Sequence, residues 1–235
     1  MKTAIHQLEF LPWTGFFHKM SICDVFVLFD IAQYNKQDYQ NRNVFNCHGQ
    51  KKMLTVPIKT HRSKELMKNI RISNDIMWQK SFKNKMYSYY RGYMYFDVII
   101  DIIKPIWESK WKFLFDLNLH MIEAINNFLR LKKQIVLASD IIPVDMLTVF
   151  YELSPSEKNL YLCKRVETKI YITGKQGKSY LNLDQYRYNH IKVYEIHQEV
   201  KNTTNYSIID SLLRNGHDYK KSVQNFGFCS EIASV

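Results

Sequence analysis

The densest run of chemically useful side chains lies near the start of the chain, in His6-Gln7-Leu8-Glu9-Phe10-Leu11-Pro12-Trp13-Thr14-Gly15. An imidazole and an amide end a short β-type run, and a turn punctuated by Pro and Gly then opens a helix. Histidine changes charge near neutrality, so His6 is a candidate general acid or base, or a hydrogen-bond donor to a phosphate. Gln7 would bond the same ligand, and free N–H groups around Trp13 and Gly15 at the helix start would favour an anion. The competing reading of His6 is an imidazole bonded inside a tight strand–helix crossing, and residue types alone leave both open.

A second group follows the apolar run at 24–29. Asp30 would orient His6 or hold an ammonium group, and Gln33, Tyr34, Gln40, Asn41 and Arg42 offer hydroxyl, amide and guanidinium groups suited to sugars and phosphates. A polar loop held by Asx turns is the alternative. A third group, Gly174, Lys175, Gly177 and Tyr180, follows an apolar run at 169–173 and could meet an anion. The spacing of a Walker phosphate loop is absent there, and an ordinary turn between helix and strand explains the glycines equally well. The eight histidines form no HxxxH, HxH or HExxH spacing and no CxxC occurs, so neither a metal nor a cofactor is expected. No GxSxG elbow or GxGxxG fingerprint appears, which argues against a serine hydrolase or a dinucleotide enzyme.

These groups need a frame, and the chain is long enough for one. It has 235 residues, 46% apolar and 23% charged, with 7 Gly and 5 Pro, which excludes disordered and linker-rich architectures. Thirty-three basic against 22 acidic residues give a net charge of +11, an excess that favours an anionic partner or reflects a Lys-rich compositional bias. Between Arg42 and Lys85 eleven cations face only Glu65 and Asp75, interleaved with Trp78, Phe82 and Tyr87. That face suits RNA or a nucleotide; a solvated helix surface accounts for it too. No run of about 18 apolar residues exists to span a membrane, the first residues lack the apolar core of a secretion signal, and four scattered cysteines suit a reducing compartment. A cytoplasmic protein is the expectation.

Apolar runs predict strands at 3–6, 24–29, 134–138, 169–173 and 191–196, the last taken as the final strand. Spacing of three and four predicts helices over about 75–91, with Ile76, Phe82 and Met86 inward, and about 111–132. Ser154 or Ser156 would cap a further helix, and Ser207 would cap one ending at Gly216. Residues 31–74 read as irregular, with a short strand near Met53. The fold class is therefore α/β, a mostly parallel sheet flanked by helices with a helical insertion in the middle of the chain. The organisation is one domain over 1–216, its helical subregion about 75–132, and a tail over 217–235.

The stretches IHQLEFLPWTGFFHK, DVFVLFDIAQYNKQDYQNRN and LTVPI resemble the WbqC-like family. Its pattern runs His-Gln-Pro, Pro-(Trp/Tyr)-x-Gly-(Phe/Tyr), an Asp-bounded strand, Gln-(Phe/Tyr), Asn-Arg-Asn and Leu-Thr-Val-Pro. The likeness continues through Trp78-Gln79-Lys80, Asp116-Leu117-Asn118, Ser139, the Gly174/Gly177 loop and Ser207-Ile208-Ile209-Asp210. One departure is Leu8, where the family has Pro. The resemblance implies a cytosolic sugar-tailoring enzyme of O-antigen, capsule or lipopolysaccharide assembly. On that basis the expected reaction is transfer of an acyl or aminoacyl group to the amino group of a nucleotide-linked sugar, with aminoacyl-tRNA as one anionic donor. The resemblance points to His6 and Asp30 as catalytic, with Gln40, Asn41 and Arg42 on the sugar or its diphosphate.

Two other readings compete. A strand, a His-bearing loop and a helix also open nucleotidylyl-transferases and adenylating enzymes, but no HxGH-type pair or KMSKS-type loop occurs here. A non-enzymatic RNA-binding protein using the 42–85 face is the third reading.

Overall fold

The computed structural model describes residues 1–75, 77–198 and 206–232, so Ile76 lies outside the described residues. In chain order the strands are β1 (Lys2–His6), β2 (Val25–Leu28), β3 (Arg42–Cys47), β4 (Gln50–Thr55), β5 (Gln134–Leu137), β6 (Ile170–Thr173), β7 (Lys192–Gln198) and β8 (Gly227–Glu231). Six of them form one sheet in the order β5-β2-β1-β6-β7-β8, parallel except for β8 at one edge, while β3 and β4 make a separate hairpin. The parallel strands carry apolar side chains on both faces, as strands covered on both sides must. Ala4, Phe26 and Leu28 point into one core; Ile5, Val25 and Val27 point into the other.

Helices cover both faces. On the first lie α1 (Thr14–Ile22), then α2 (Trp78–Tyr90), α3 (Phe96–Ile103), α4 (Pro105–Glu108) and α5 (Leu114–Phe128), which make up the expected helical insertion. The stripe of Leu114, Leu117, Met121, Ile122 and Ile125 buries one side of α5. On the second face lie α6 (Ala138–Ile141), α7 (Leu147–Glu152), α8 (Pro155–Arg165), α9 (Lys175–Lys178) and α10 (Leu183–Tyr188), packing through Phe150, Leu162 and Tyr186. Ser154 caps α8 through a capping box with Glu157. The chain then returns to the first face with α11 (Ile208–Asn215) and α12 (Tyr219–Gln224).

This path doubles back. From β1 the chain steps outward to β2 and β5, crosses to the opposite face, re-enters beside β1 as β6 and continues to β7. Strand order therefore reverses between β1 and β6, and in doubly wound sheets ligands sit in the crevice outside the carboxyl ends at that reversal. His6 pairs with Leu28, while Ala4 pairs with Ile172, so the same register brings His6 level with Gly174.

Two elements differ from the sequence expectation. Residues 42–55, read mostly as irregular, form the β3–β4 hairpin, whose turn residues His48 and Gly49 both have positive φ. Residues 191–196 do not hold the final strand, and the segment read as a tail carries α12 and β8. Strand β8 closes the sheet by pairing Cys229 with Ile196 and Phe228 with His197.

Candidate functional site at the carboxyl end of the sheet

The last residue of β1 sets the geometry. His6 Nδ1 lies 2.9 Å from the carbonyl of Gln7, which can only accept, so Nδ1 carries the proton and Nε2 is the ring's free acceptor. The ring meets Phe16 of α1 edge-on at 4.9 Å, and a quarter of the side chain is exposed. Burial of the rest of the ring, reinforced by the Lys19 ammonium, lowers its pKa to about 3. At neutral pH His6 is an uncharged imidazole with an open nitrogen at the sheet's carboxyl edge.

The carboxyl group beside it is Glu9, with Oε1 3.9 Å from Nδ1. Burial, with Asp38 adding repulsion, pushes this carboxyl up to about 8, so it holds its proton at neutral pH. Its second oxygen, Oε2, is buried without a hydrogen-bond partner. Lys19, projecting from α1, donates to the Ile5 carbonyl at 2.9 Å, and burial lowers its ammonium to about 8. His6, Glu9 and Lys19 thus form a buried titratable cluster where β1 hands over to its loop, and perturbed groups concentrate at functional sites. Glu9 and Lys19 were absent from the sequence-level site. One signal pointed to Glu9: it is the sole acid in the first 23 residues, set inside the apolar run Leu8-Glu9-Phe10-Leu11.

Amide side chains continue the site. Gln40 Nε2 donates to Gln7 Oε1 at 2.9 Å, and Gln40 Oε1 accepts from the Asn35 N–H. Asn118 of α5 donates to the Gln40 carbonyl at 2.7 Å, and Asn41 donates to the Val56 carbonyl. Asn41 Oδ1 and Asn118 Oδ1 are left buried and unpartnered. Arg42 is half-buried at the start of β3, close enough to Tyr34 for its charge to act on the phenol, whose pKa burial nevertheless raises. Gln33 is exposed, and its backbone bridges to Leu66. Gln7, Gln40, Asn41 and Asn118 are therefore brought together, next to His6.

Other expected site residues do different work. Asp30 is buried, and its Oδ1 accepts from the Ser139 N–H at 3.0 Å, tying the end of β2 to the first turn of α6. No hydrogen bond or ion pair joins it to His6; the acid at the imidazole is Glu9. The start of α1 is not an open anion cradle. The Trp13 indole lies directly on Gly15, where it occupies the space of a side chain, and Thr14 Oγ1 bonds the Tyr219 hydroxyl at 2.9 Å. Trp13 itself packs edge-on against Phe226 at 5.8 Å. In the third loop Gly177 packs against Thr173 Oγ1, and the Tyr180 hydroxyl accepts from Asn159 at 3.2 Å. Lys178 there pairs with Glu195 at 2.8 Å, whereas Lys175 is exposed at the start of α9, one residue beyond Gly174.

A doubly wound α/β protein with a neutral histidine and a protonated glutamate at its topological switch point is the class these features define. The pattern that describes the WbqC-like protein family matches residues 7–222, and the chain belongs to that family. A protein of Mycobacterium tuberculosis (strain ATCC 25618 / H37Rv), Rv1507c, named only as uncharacterized, is 26% identical over 184 residues, covering 77% of this chain and 75% of its own. No solved structure gives a significant match. Among the described residues no helix is long and apolar enough to cross a membrane.

Proposed function

We propose that this protein is a sugar-tailoring transferase of surface-polysaccharide assembly, passing an acyl or aminoacyl group to the amino group of a nucleotide-linked amino sugar. The observation that carries the reading is the His6–Glu9 pair, whose surroundings push the two pKa values apart and past each other. Such inversion assigns acid and base roles. The sugar ammonium releases one proton to solvent, and as the freed amine attacks the donor's ester carbonyl His6 Nε2 takes the second proton from the nitrogen. As the tetrahedral intermediate collapses, the carbon–oxygen bond to the leaving alkoxide breaks and Glu9 supplies the proton that oxygen needs. The imidazolium then gives its Nε2 proton to solvent and the Glu9 carboxylate regains one from it, which restores the starting state with Nδ1 still bonded to the Gln7 carbonyl. Gln7 and Gln40 would hold sugar hydroxyls, and Lys175, with Arg42, the diphosphate. An anion there also raises the basicity of His6, so substrate binding itself readies the base. The activity belongs to the cytoplasm on this reading, where nucleotide-linked sugars and charged tRNA are found together.

The test is mass spectrometry of a panel of nucleotide-linked amino sugars incubated with the protein and activated acyl donors, charged tRNA among them. A product heavier by one acyl residue, acylated at the sugar nitrogen, is expected. Absence of product with every donor, or pyrophosphate exchange with ATP in its place, would overturn the assignment.

A further inference from the structure

A groove runs beside α2, facing β4. One stretch is an open, shallow face of α2 and its cap alone, with Met77, Lys80, Asn84, Lys85 and Tyr89 along it. A second, of about 320 Å³, shares Met77 and Lys85 and extends to Leu54 and Thr55 on β4. Lys80, Ser81, Asn84, Lys85 and Ser88 recur at the spacing of one helix face, and all are exposed. From Lys80 to Ser88 the face is about 12 Å long at 1.5 Å per residue.

The charge on this face is uncompensated. Helix α2 contains no acidic residue, and Asp75 just before it is paired with Lys59. Among the described residues Lys51, Lys52, Lys80, Lys83 and Lys85 have no ion-pair partner, in contrast to Lys104, Lys178 and Lys192 elsewhere. Lys80 and Lys83 stand three residues apart on one helix, an arrangement that costs stability until an anion meets it. Between the cations lie surfaces of a different kind. Met77 is 72% exposed, Tyr89 lines the groove, and Lys83 sits 5.8 Å over the Tyr87 ring. Flat and polarisable groups alternating with ammonium groups suit stacked bases joined by phosphates. Ser81, Asn84 and Ser88 add hydroxyl and amide groups for 2′-hydroxyls and base edges. An acidic peptide helix would instead need an apolar stripe, and among the described residues lining the groove Met77 is the one strongly exposed apolar side chain.

We propose that the groove between α2 and β4 binds single-stranded RNA through its phosphates, with its bases against Met77 and the tyrosines. The inference rests on this surface alone and stands apart from the acyl-transfer reading: RNA binding by a protein that acylates nothing leaves it intact.

Fluorescence anisotropy on the full chain with a labelled single-stranded RNA 15-mer, across a salt series, tests it. Lys80→Glu/Lys85→Glu should weaken binding at least about tenfold and reduce the log–log salt slope by about 1.4, two contacts at 0.7 each. The matched charge change Lys164→Glu/Lys169→Glu, at the end of α8 and just before β6, should alter affinity less than about twofold. Lys80→Ala/Lys85→Ala, which keeps helix propensity, should show the same order with a smaller loss, and thermal melts should show each variant folded. Single-stranded DNA of the same sequence should bind several-fold more weakly. The proposal is overturned by equal losses in the two charge-reversed pairs, by no RNA binding to the wild-type chain, by equal affinity for DNA, or by a polyglutamate peptide displacing RNA as well as unlabelled RNA does.

Discussion

An imidazole that stays uncharged and a carboxyl that stays protonated, side by side, reverse what either group does in water. Because His6 Nδ1 is committed to the Gln7 carbonyl, Nε2 is the atom that can act, and its removal has a defined cost. His6→Ala should lower turnover by about 10²–10⁴-fold, the usual contribution of a general base, while circular dichroism and melting remain close to wild type. Near-wild-type activity would refute the assignment. Glu9 allows a test that needs no substrate. Its carboxyl, ordinarily near 4.5, is raised to about 8 in the fold, so the native chain keeps a proton that the unfolded chain releases above pH 4.5. This contribution is fully present below pH 4.5 and is lost as pH rises through 8. Glu9→Gln removes the loss. Its melting temperature should match wild type near pH 4 and exceed it by several degrees near pH 8, and parallel pH curves for the two proteins would show that the carboxyl titrates normally. Lys19 adds an opposite slope above pH 8, and because its charge and that of Glu9 act on each other, the comparison is made at and below pH 8.

Among the elements, α11 reaches back furthest along the chain to shape the site. Its cap, Ser207, accepts from the Ile209 N–H at 3.3 Å and donates to the Leu11 carbonyl at 2.8 Å, while its own N–H donates to Val44. One serine thus joins α11, the loop that carries Glu9, and the β3–β4 hairpin. Ser207→Ala should cost about 1 kcal/mol, the usual value for a lost cap, because the Leu11 carbonyl keeps a second donor in Asn43 Nδ2. Urea melts with an unchanged m-value would show that loss; a midpoint equal to wild type would mean the cap holds nothing together. Both ends of this helix were legible from sequence, since Ser207 and the left-handed Gly216, at φ 55, are local signals. Strands β1, β2, β5, β6 and β7 were legible too, as short runs rich in β-branched and aromatic residues, although β5 is only partly buried and β7 carries Lys192 and Glu195. The hairpin was not. Its strands contain Asn43, Asn46, Lys51 and Lys52, and its turn uses His48 at a positive φ where Asn or Asp before Gly is the usual mark. The site divides in the same way: His6 and Gln7 could be read from their place at a strand end, whereas the pKa inversion depends on α1 and the loop packing over β1, which no local pattern encodes.

At the scale of the whole molecule, the sheet reverses direction at β1 and β6 and is closed by a strand running the other way. Strand β8 has one large apolar residue, Phe228, and was invisible to periodicity because an edge strand needs only one covered face. Its contribution is nonetheless structural. It pairs along β7 from Tyr194 to Gln198, and Lys192 meets Glu231 at 3.2 Å. Without it β7 would present a row of unpaired N–H and C=O groups beside Tyr194 and Ile196, and such an edge recruits another chain. Removal of residues 227–235 should therefore lower the melting temperature and produce concentration-dependent association in sedimentation, beyond anything the full chain shows. In the sheet β6 and β7 stand between β1 and that edge, and Cys229 of β8 acts on Lys19 but not directly on Glu9, so the pH dependence of Glu9 should survive in the truncated chain wherever it remains folded. A truncated chain that sediments and melts as the full one does would mean β7 is shielded by other means. A lost Glu9 signature with the sheet intact would instead mean that the two ends of the sheet are coupled, contrary to the layered packing that keeps each core to its own face.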